Sequence, residues 1–242
     1  MLRASLRVGG LLLLFLACLG PHLLEKALTG RSRWPRKFLA AAAWIIGARV
    51  RIVGEPVRPH SLLICNHVSW IDVLVVAGAT GCRFVSKDEL GHPLVHWMAD
   101  QNDTLYVRRS HRRGSADQAT AIAGALQRPQ PLALFPEGTT GPGDDLLPFR
   151  STLLAAVAPP PDAVEVRPVA IDYGPAAPEI GWHGETGKDN VLRILARRGG
   201  LPVVVHLLPA LERSADRKQL ASAARARISE ALAASSSSTA GL

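Results

Sequence analysis

A histidine and an aspartate five positions apart, His67 and Asp72, are the residues whose types and spacing point most directly to chemistry. An imidazole can remove the proton from an attacking hydroxyl, and a carboxylate beside it can fix its tautomer and stabilise the imidazolium. The apolar run 61–65 before His67 predicts a strand, and the residues after it have the form of a helix start. We therefore expect the pair where a strand meets a helix.

A purely structural role would also explain the aspartate. Ser69 and Asp72 have the spacing of a capping box, in which both side chains satisfy free N–H groups of the first helical turn. The two roles are compatible, because Asp72 in that turn could still reach the imidazole of His67. The spacing alone occurs by chance in many proteins, so the catalytic interpretation needs a second signal.

The second signal is a glycine-rich segment after another apolar run. Residues 132–135 predict a strand, which ends in the segment 136–143, Pro-Glu-Gly-Thr-Thr-Gly-Pro-Gly. Glycines and hydroxyls at a strand end let backbone approach an oxyanion closely. The segment could instead be a flexible turn with Glu137 as a solvated charge. Ligands usually bind at the strand ends of α/β sheets, which favours the binding role.

Two further segments complete the set. The predicted strand 104–107 leads into arginines, of which Arg109 is favoured to bind a phosphate, whereas Arg112 and Arg113 fit a solvated loop equally well. The apolar segment 167–171 contains Pro168 and by itself predicts a core or edge strand rather than a site.

Together these segments resemble the motifs of the glycerolipid acyltransferase family, which includes the 1-acylglycerol-3-phosphate acyltransferases of phospholipid synthesis. Segment 66–72 is similar to the first motif, Asn-His-x-Ser-x-x-Asp. Segments 106–109, 135–140 and 166–169 resemble the second, third and fourth motifs. The resemblance extends over roughly residues 54–205, and its first and third motifs are specific.

The resemblance implies acyl transfer from an acyl thioester, carried by acyl carrier protein or coenzyme A, to the free hydroxyl of a lysolipid. No covalent enzyme intermediate, bound cofactor or metal is expected, because a thioester is already activated; the chain has no Gly-x-Ser-x-Gly elbow. His67 and Asp72 would be the catalytic pair. The residues expected to bind substrate are Asn66, Ser69, Arg109, Glu137, Gly138 and Thr139.

The acceptor is less clearly specified, because the chain departs from the family pattern twice. Thr140 stands where many members have arginine, and Arg108 stands where an acidic residue is common. The favoured acceptor is 1-acylglycerol-3-phosphate, giving phosphatidic acid, and the alternative is a lyso-ornithine-lipid O-acyltransferase of the same family. A non-catalytic, membrane-anchored lipid-binding protein is the alternative of another class, against which the intact His67, Asp72 and Glu137 argue.

The elements that must position these residues predict an α/β fold with a central mixed sheet flanked by helices. One acyltransferase domain is expected over residues 51–234, followed by a disordered tail at 235–242. Predicted strands cover 61–65, 82–86, 104–107, 132–135, 164–171 and 203–207. Predicted helices cover 70–78, 92–101, 114–127, 151–157 and 215–234.

Residues 1–50 predict a two-helix membrane-associating segment. Its apolar stretches, 8–19 and 38–50, are each about 12 or 13 residues, shorter than the roughly 20 needed to span a bilayer. A basic, tryptophan-containing patch at 31–37 favours helices lying in the leaflet at the cytoplasmic face of a bacterial inner membrane. A cleaved signal peptide, suggested by Arg3, Arg7 and the apolar run after them, is the alternative.

Charge and cysteine content agree with this location. Lys and Arg total 28 against 20 Asp and Glu, a formal charge of +8, which suggests an anionic partner such as a membrane surface. Nucleic acid is disfavoured, since aromatic residues are 5% of the chain and no nucleic-acid-binding motif is present. The three cysteines lack pairing or metal-ligand spacing and predict buried thiols in a reducing compartment. Cys65, two residues before His67, could be a thiol nucleophile, but a buried structural role is favoured.

Overall fold

The computed structural model describes residues 2–87, 92–107 and 114–239, with the backbone alone at 87, 114–118 and 236–239. Within these residues seven strands form one sheet. The strands are β1 Ala48–Gly54, β2 Ser61–Cys65, β3 Arg83–Lys87, β4 Leu105–Val107, β5 Leu132–Leu134, β6 Glu165–Asp172 and β7 Leu201–Leu207.

Helices flank the sheet on both faces. They are α1 Leu2–Thr29, α2 Trp34–Ile45, α3 Ile71–Thr80, α4 Pro93–Gln101, α5 Gly114–Leu126, α6 Ala177–Ile180, α7 Gly187–Ala196 and α8 Arg217–Thr239. Short 3₁₀ helices cover Ser151–Val157 and Gly174–Ala176.

The strand order is β1-β7-β6-β2-β5-β3-β4, which places β2 between β5 and β6. Strands β6, β2, β5, β3 and β4 are parallel, whereas β7 is antiparallel to β6 and β1 is parallel to β7. The predicted central mixed sheet is therefore confirmed. Because β6, β2 and β5 are parallel neighbours, their carboxyl ends lie at one edge of the sheet, where α/β proteins bind ligands.

Strand β2 is buried on both faces, as expected for a central parallel strand. Leu63 packs into a core cluster on the face covered by α2 and α3. Leu62 and Ile64 pack into the cluster on the other face, which α5 and α8 cover. The end of β2, and thus the start of the His67 segment, is fixed by packing from both sides.

Six of the strands agree with their predicted bounds to within two residues, but β1 was missed. The stretch 38–50, predicted to be one apolar helix, contains the end of α2, a turn at Gly47 and the start of β1. Arg49 and Arg51 alternate with apolar residues, the period of an edge strand, and this strand pairs with β7. The sheet therefore begins before residue 51.

The two ends of the chain also differ from expectation. Helix α1 has 28 residues and is long and apolar enough to cross a membrane, rather than stopping near residue 19. It continues because its polar His22 is buried against the protein, bonded to Ser32 and Gln101. Helix α8 extends to Thr239, into the predicted disordered tail, since adding residues to an existing helix is easier than starting one.

Helices α2 and α3 approach closely at Gly78, where an added Cβ would lie 2.8 Å from the Cα of Ala40. Gly78→Ala should force these helices apart and lower the free energy of unfolding by about 1–3 kcal/mol. Urea denaturation followed by circular dichroism, in a single detergent buffer, measures this change.

Gly124→Ala is the matched control. Gly124 lies in helix α5 with no atom within 4 Å of an added Cβ. Removing a glycine from an open helical position should raise the free energy of unfolding by about 0.5–1 kcal/mol. Changes of the same sign for the two substitutions would contradict the close packing of α2 on α3.

Candidate active site

The predicted site segments meet at the carboxyl edge of the parallel strands. His67 follows β2, Glu137 follows β5 and Tyr173 follows β6, and these three strands are neighbours in the sheet. The first and third motifs, 70 residues apart at His67 and Glu137, are in direct hydrogen-bond contact. The strand-end location expected for His67 is therefore what the fold produces.

His67 and Asp72 form the predicted pair. The Nδ1 atom of His67 lies 2.8 Å from Oδ2 of Asp72, whose side chain is fully buried. With a proton on Nδ1 donated to this carboxylate, the lone pair is on Nε2. No group in the described ranges hydrogen-bonds Nε2, and the imidazole keeps 18% of its surface exposed. The geometry is that of a general base oriented by a carboxylate.

The aspartate also closes the turn between β2 and α3. Its Oδ2 accepts the backbone N–H groups of Val68 at 2.6 Å and Ser69 at 2.8 Å. Only this half of the predicted capping box forms, because the helix begins one residue later, with Trp70 as its N-cap. The hydroxyl of Ser69 is buried without a hydrogen-bond partner in the described structure. Capping and orientation of His67 are thus served by one carboxylate.

Tyr173 completes the contacts of Asp72, although no local sequence pattern points to it. Its hydroxyl donates to Oδ1 of Asp72 at 2.5 Å. Burial, and secondarily the negative charge of Asp72, raise the pKa of Tyr173 well above its usual value, so the phenol remains protonated and donates. The parallel pairing of β6 with β2 brings this residue to the site.

Glu137 braces the histidine segment. One carboxylate oxygen accepts the backbone N–H of His67 at 2.7 Å, and the other accepts that of Leu147 at 3.1 Å. Burial raises the pKa of Glu137 to about 7, opposed by these two donors. Both of its oxygens are bonded to backbone, which gives it a positioning role. Its expected contact with substrate stays a prediction.

Asn66 also bonds to backbone. Its buried amide donates to the carbonyl of Ile171 at 3.0 Å and accepts the N–H of the same residue at 2.8 Å. It therefore extends the pairing of β2 with β6 beyond the last strand residue, and its expected contact with substrate stays a prediction. Ser69, also predicted to contact substrate, is fully buried.

The third motif forms a tight turn after β5. Gly138 has φ of 73°, a conformation that favours glycine, and its N–H donates to the carbonyl of Phe135 at 3.0 Å. Thr139 is exposed on this turn. Its contact with substrate, like that of Gly138, stays a prediction.

Aromatic stacking fixes the plane of the imidazole. The ring of His67 lies on that of Phe135, with centroids 4.0 Å apart and planes 14° apart. Phe135 in turn stacks on Phe84 at 5.7 Å. The histidine ring is thus held on one face by β5 and along its edge by Asp72.

The peptide of Trp182 lies between the first and third motifs. Its N–H donates to the carbonyl of Val68 at 3.0 Å, and its carbonyl accepts the hydroxyl of Thr140 at 2.8 Å. The N–H of Gly141 donates to the carbonyl of His67 at 3.0 Å. Thr140, which replaces the arginine common in the family, therefore links the turn to a later loop.

A buried asparagine ties helix α7 to the start of α3. Oδ1 of Asn190 accepts the indole N–H of Trp70 at 3.0 Å, and its amide donates to the carbonyl of Gly181 at 3.2 Å. Helix α7 was missed, although Thr186 and Asp189 have capping-box spacing. Oγ1 of Thr186 caps the helix by accepting the N–H of Asp189, and the same hydroxyl donates to the Asp189 carboxylate. The contact of Asn190 had no local signal.

Two candidates remain apart from this set. Arg109, predicted to bind the phosphate, and its neighbour Arg108 lie outside the described residues; β4 ends at Val107. Cys65 is fully buried, and burial raises the pKa of its thiol well above the usual value, which disfavours a nucleophilic thiolate. All three cysteines are buried, as predicted.

The raised pKa of Glu137 gives a test of its burial. A carboxyl with a pKa of about 7 when folded, above its usual 4.5, binds its proton more tightly in the folded chain. Its stabilising contribution is therefore present below about pH 4.5 and lost as the pH rises to about 7. Urea denaturation should show the wild type losing about 3 kcal/mol across this window relative to Glu137→Gln, which cannot titrate.

Glu165→Gln is the control, since Glu165 forms an exposed ion pair with Arg58 on the same sheet. Such pairs contribute little, so between pH 5 and 7 its curve should keep the wild-type shape. A Glu137→Gln curve parallel to the wild type would contradict the raised pKa.

Comparison with known proteins agrees with this geometry. A family model described as Acyltransferase matches residues 49–172. The lyso-ornithine lipid O-acyltransferase of Rhodobacter capsulatus is 32% identical over 93% of this chain and 88% of that protein. The 1-acyl-sn-glycerol-3-phosphate acyltransferase of Neisseria gonorrhoeae is 32% identical over 62% of this chain and 54% of that protein.

The fold has a solved counterpart. The 1-acyl-sn-glycerophosphate acyltransferase PlsC from Thermotoga maritima superposes with a TM-score of 0.68, covering 96% of this chain and 95% of that one, at 17% identity. This likeness concerns the fold alone, whereas the family match and the relatives concern the sequence. The chain belongs to the acyltransferase family and is a lysolipid acyltransferase of the PlsC type.

Proposed function

We propose that this protein transfers a fatty acyl group from an acyl thioester, carried by acyl carrier protein or coenzyme A, to the free hydroxyl of lyso-ornithine lipid. The observation that carries the proposal is the His67–Asp72 pair, with Nε2 of the imidazole open at the strand edge. An oriented base is what a hydroxyl needs in order to attack a thioester.

In this reaction Nε2 of His67 takes the proton of the lipid hydroxyl as its oxygen attacks the thioester carbonyl. Asp72, bonded to Nδ1, stabilises the imidazolium that forms. The tetrahedral intermediate then collapses, breaking the carbon–sulfur bond, and the departing thiolate receives the proton from the imidazolium. The products are the acylated lipid and the free carrier thiol, so no covalent enzyme intermediate is required.

The choice of acceptor rests on two observations. The relative named for lyso-ornithine lipid matches 93% of the chain, against 62% for the one named for 1-acyl-sn-glycerol-3-phosphate. Thr140 offers no cation where many family members have arginine, and its hydroxyl bonds the carbonyl of Trp182. An ornithine head group is an amino acid rather than a phosphate ester, so this loss of a cation fits it. The order of the two expected acceptors is accordingly reversed.

A non-catalytic lipid-binding protein fits the site less well. Binding a lipid requires neither a buried carboxylate on Nδ1 nor an exposed Nε2. The stacking of Phe135 on His67 likewise fixes an imidazole orientation that binding alone would not need.

We also propose that α1 lies within one leaflet. The helix contacts the domain at three points along its length. Near its start, Arg7 donates to carbonyls at the end of α7. In the middle, the rings of Phe15 and Trp97 lie with centroids 6.0 Å apart, and near its end His22 bonds Gln101 at 3.1 Å. From Arg7 to His22 the axis covers about 22 Å. A helix crossing the roughly 30 Å hydrocarbon layer would carry this side of the domain into the lipid, which supports the in-plane arrangement.

The outward face of α1 and the adjoining turn suit such an interface. The helix exposes a row of leucines, and Lys37 in α2 lies over the ring of Trp34, its Nζ 4.5 Å from the centroid. Arg31 and Arg33 lie in the turn between the helices and are exposed. Basic residues beside an apolar face favour the anionic cytoplasmic leaflet, from which a single-chain lipid can reach the strand edge. The exposed leucines are Leu2, Leu6, Leu12, Leu13, Leu16, Leu23, Leu24 and Leu28.

His67→Ala should reduce acyl transfer by about 10²–10⁴-fold, the usual contribution of a general base, without changing the circular dichroism spectrum. The assay crosses two donors, acyl-carrier-protein and coenzyme A thioesters, with lyso-ornithine lipid and 1-acylglycerol-3-phosphate. We expect the highest kcat/KM with lyso-ornithine lipid.

His96→Ala is the control, because His96 pairs with Asp100 at 3.3 Å in an exposed i,i+4 contact on α4. Its activity should match the wild type. Wild-type-like turnover by His67→Ala would overturn the assignment of the base, and preference for 1-acylglycerol-3-phosphate would overturn that of the acceptor.

The double variant Leu12→Glu, Leu16→Glu should weaken binding to phosphatidylglycerol-containing vesicles by about a hundredfold, because two leucines no longer enter the apolar layer. Vesicle sedimentation measures the change. Ala226→Glu places a charge on exposed α8, across the sheet from α1, and should leave binding unchanged. An equal loss of vesicle binding in both proteins would indicate a general charge effect and count against the in-plane position of α1.

A further inference from the structure

The two oxygens of the Asp72 carboxylate have different partners. Oδ2 accepts three donors from its own turn: Nδ1 of His67 and the N–H groups of Val68 and Ser69. Oδ1 accepts the hydroxyl of Tyr173, a residue 101 positions later in the chain. Among the described residues, this phenol is the hydrogen-bond donor to Oδ1.

Tyr173 is a residue of the hydrophobic core and not of the surface. Its side chain is 3% exposed and packs in the cluster on the face covered by α2 and α3. It directly follows β6, the strand that Asn66 ties to the end of β2. The hydroxyl is therefore held at Oδ1 by the sheet itself.

The other titratable groups around Asp72 do not duplicate this contact. His67 is on Oδ2, Glu137 is bonded to backbone N–H groups, and Cys65 is a buried thiol whose pKa is raised by burial. Cys65, Glu137 and Tyr173, in or after β2, β5 and β6, are each close enough that the charge of Asp72, in addition to burial, raises their pKa. A neutral donor on Oδ1 can then stabilise the negative charge of the carboxylate without adding a charge of its own.

We propose that Tyr173 is a positioning residue that sets the basicity of the His67–Asp72 pair, an inference that rests on the proposed function. A donor on Oδ1 stabilises the negative charge of the carboxylate and so weakens its attraction for the imidazolium. The histidine stays neutral, and able to accept a proton, at lower pH than it would without the phenol. The same bond fixes the carboxylate rotation, so that Oδ2 faces Nδ1.

The first test is Tyr173→Phe, which removes the hydroxyl and keeps the ring. The midpoint of the acidic limb of the kcat/KM profile should move up by about half to one pH unit, with KM nearly unchanged. The titration midpoint of the His67 ring, followed by ¹⁵N NMR and assigned by its absence in His67→Gln, should move by the same amount in the same direction.

Tyr106→Phe is a matched control, because Tyr106 is the other tyrosine of the chain and also donates to an aspartate, Asp100, at 2.8 Å. That aspartate pairs with His96 as Asp72 does with His67. The substitution removes the same chemical contact at a more exposed place. The NMR midpoint of His67 should not move.

A change of opposite sign can be made without disturbing the packing of Tyr173. In the Tyr106→Phe background, growth on 3-fluorotyrosine labels Tyr173 alone, since the chain has two tyrosines. The more acidic fluorophenol is a stronger donor, so the His67 midpoint should move down. This variant keeps the test available if Tyr173→Phe fails to fold.

Midpoints that move in opposite directions in the two experiments support the proposal. A folded Tyr173→Phe, or a fluorinated protein, with an unmoved His67 midpoint would overturn it and leave Tyr173 as a packing residue. Failure of the proposed function looks different: the NMR midpoint would respond to Tyr173 while His67→Ala retained acyl transfer.

Discussion

The fold around this site depends on a carboxylate with no exposed surface. Burying a charge is costly unless it is hydrogen-bonded, and Asp72 collects four donors from two distant parts of the chain. Three of them fix the turn that aims His67, and the fourth comes from the residue after β6, the strand that pairs with β2. The turn and the orientation of the imidazole thus follow from satisfying one group, at a place that the strand order assembles.

Two motif residues near this carboxylate, Asn66 and Glu137, hold the backbone of the site in place. The side chain of Asn66 is hydrogen-bonded to the backbone of Ile171. The carboxylate of Glu137 is hydrogen-bonded to the backbone of His67 and Leu147. Such residues hold strand ends together at the edge where a ligand must enter. Motif positions can therefore serve the geometry of a site by holding its backbone.

The apolar helices and the site share one side of the sheet. Helices α1, α2 and α3 contribute to the cluster on the face opposite α8, and α3 begins at the His67 turn. Arg7 links α1 to the end of α7, whose Asn190 contacts Trp70 beside that turn. Helix α1 and the His67 turn are consequently held by one continuous set of contacts.

What the sequence determined was local. The runs that became β2 and β5, and the His67–Asp72 contact across five residues, follow from burial patterns and from one turn, so they could be predicted without the fold. The edge strand β1 and helix α7 left weaker patterns and were missed, although alternating arginines in the first and a capping box in the second were present.

The tertiary structure decided every contact between distant segments. The bonds of Glu137 to His67, Asn66 to Ile171 and Tyr173 to Asp72 join residues 70, 105 and 101 positions apart. No spacing rule reaches that far, because these pairs meet only when β5, β2 and β6 align in parallel. The length of α1 was likewise set by partners elsewhere in the fold. His22 is tolerated in that apolar helix because its Nε2 atom hydrogen-bonds Oε1 of Gln101. Sequence specified the base and its carboxylate, and the sheet specified what holds them in place.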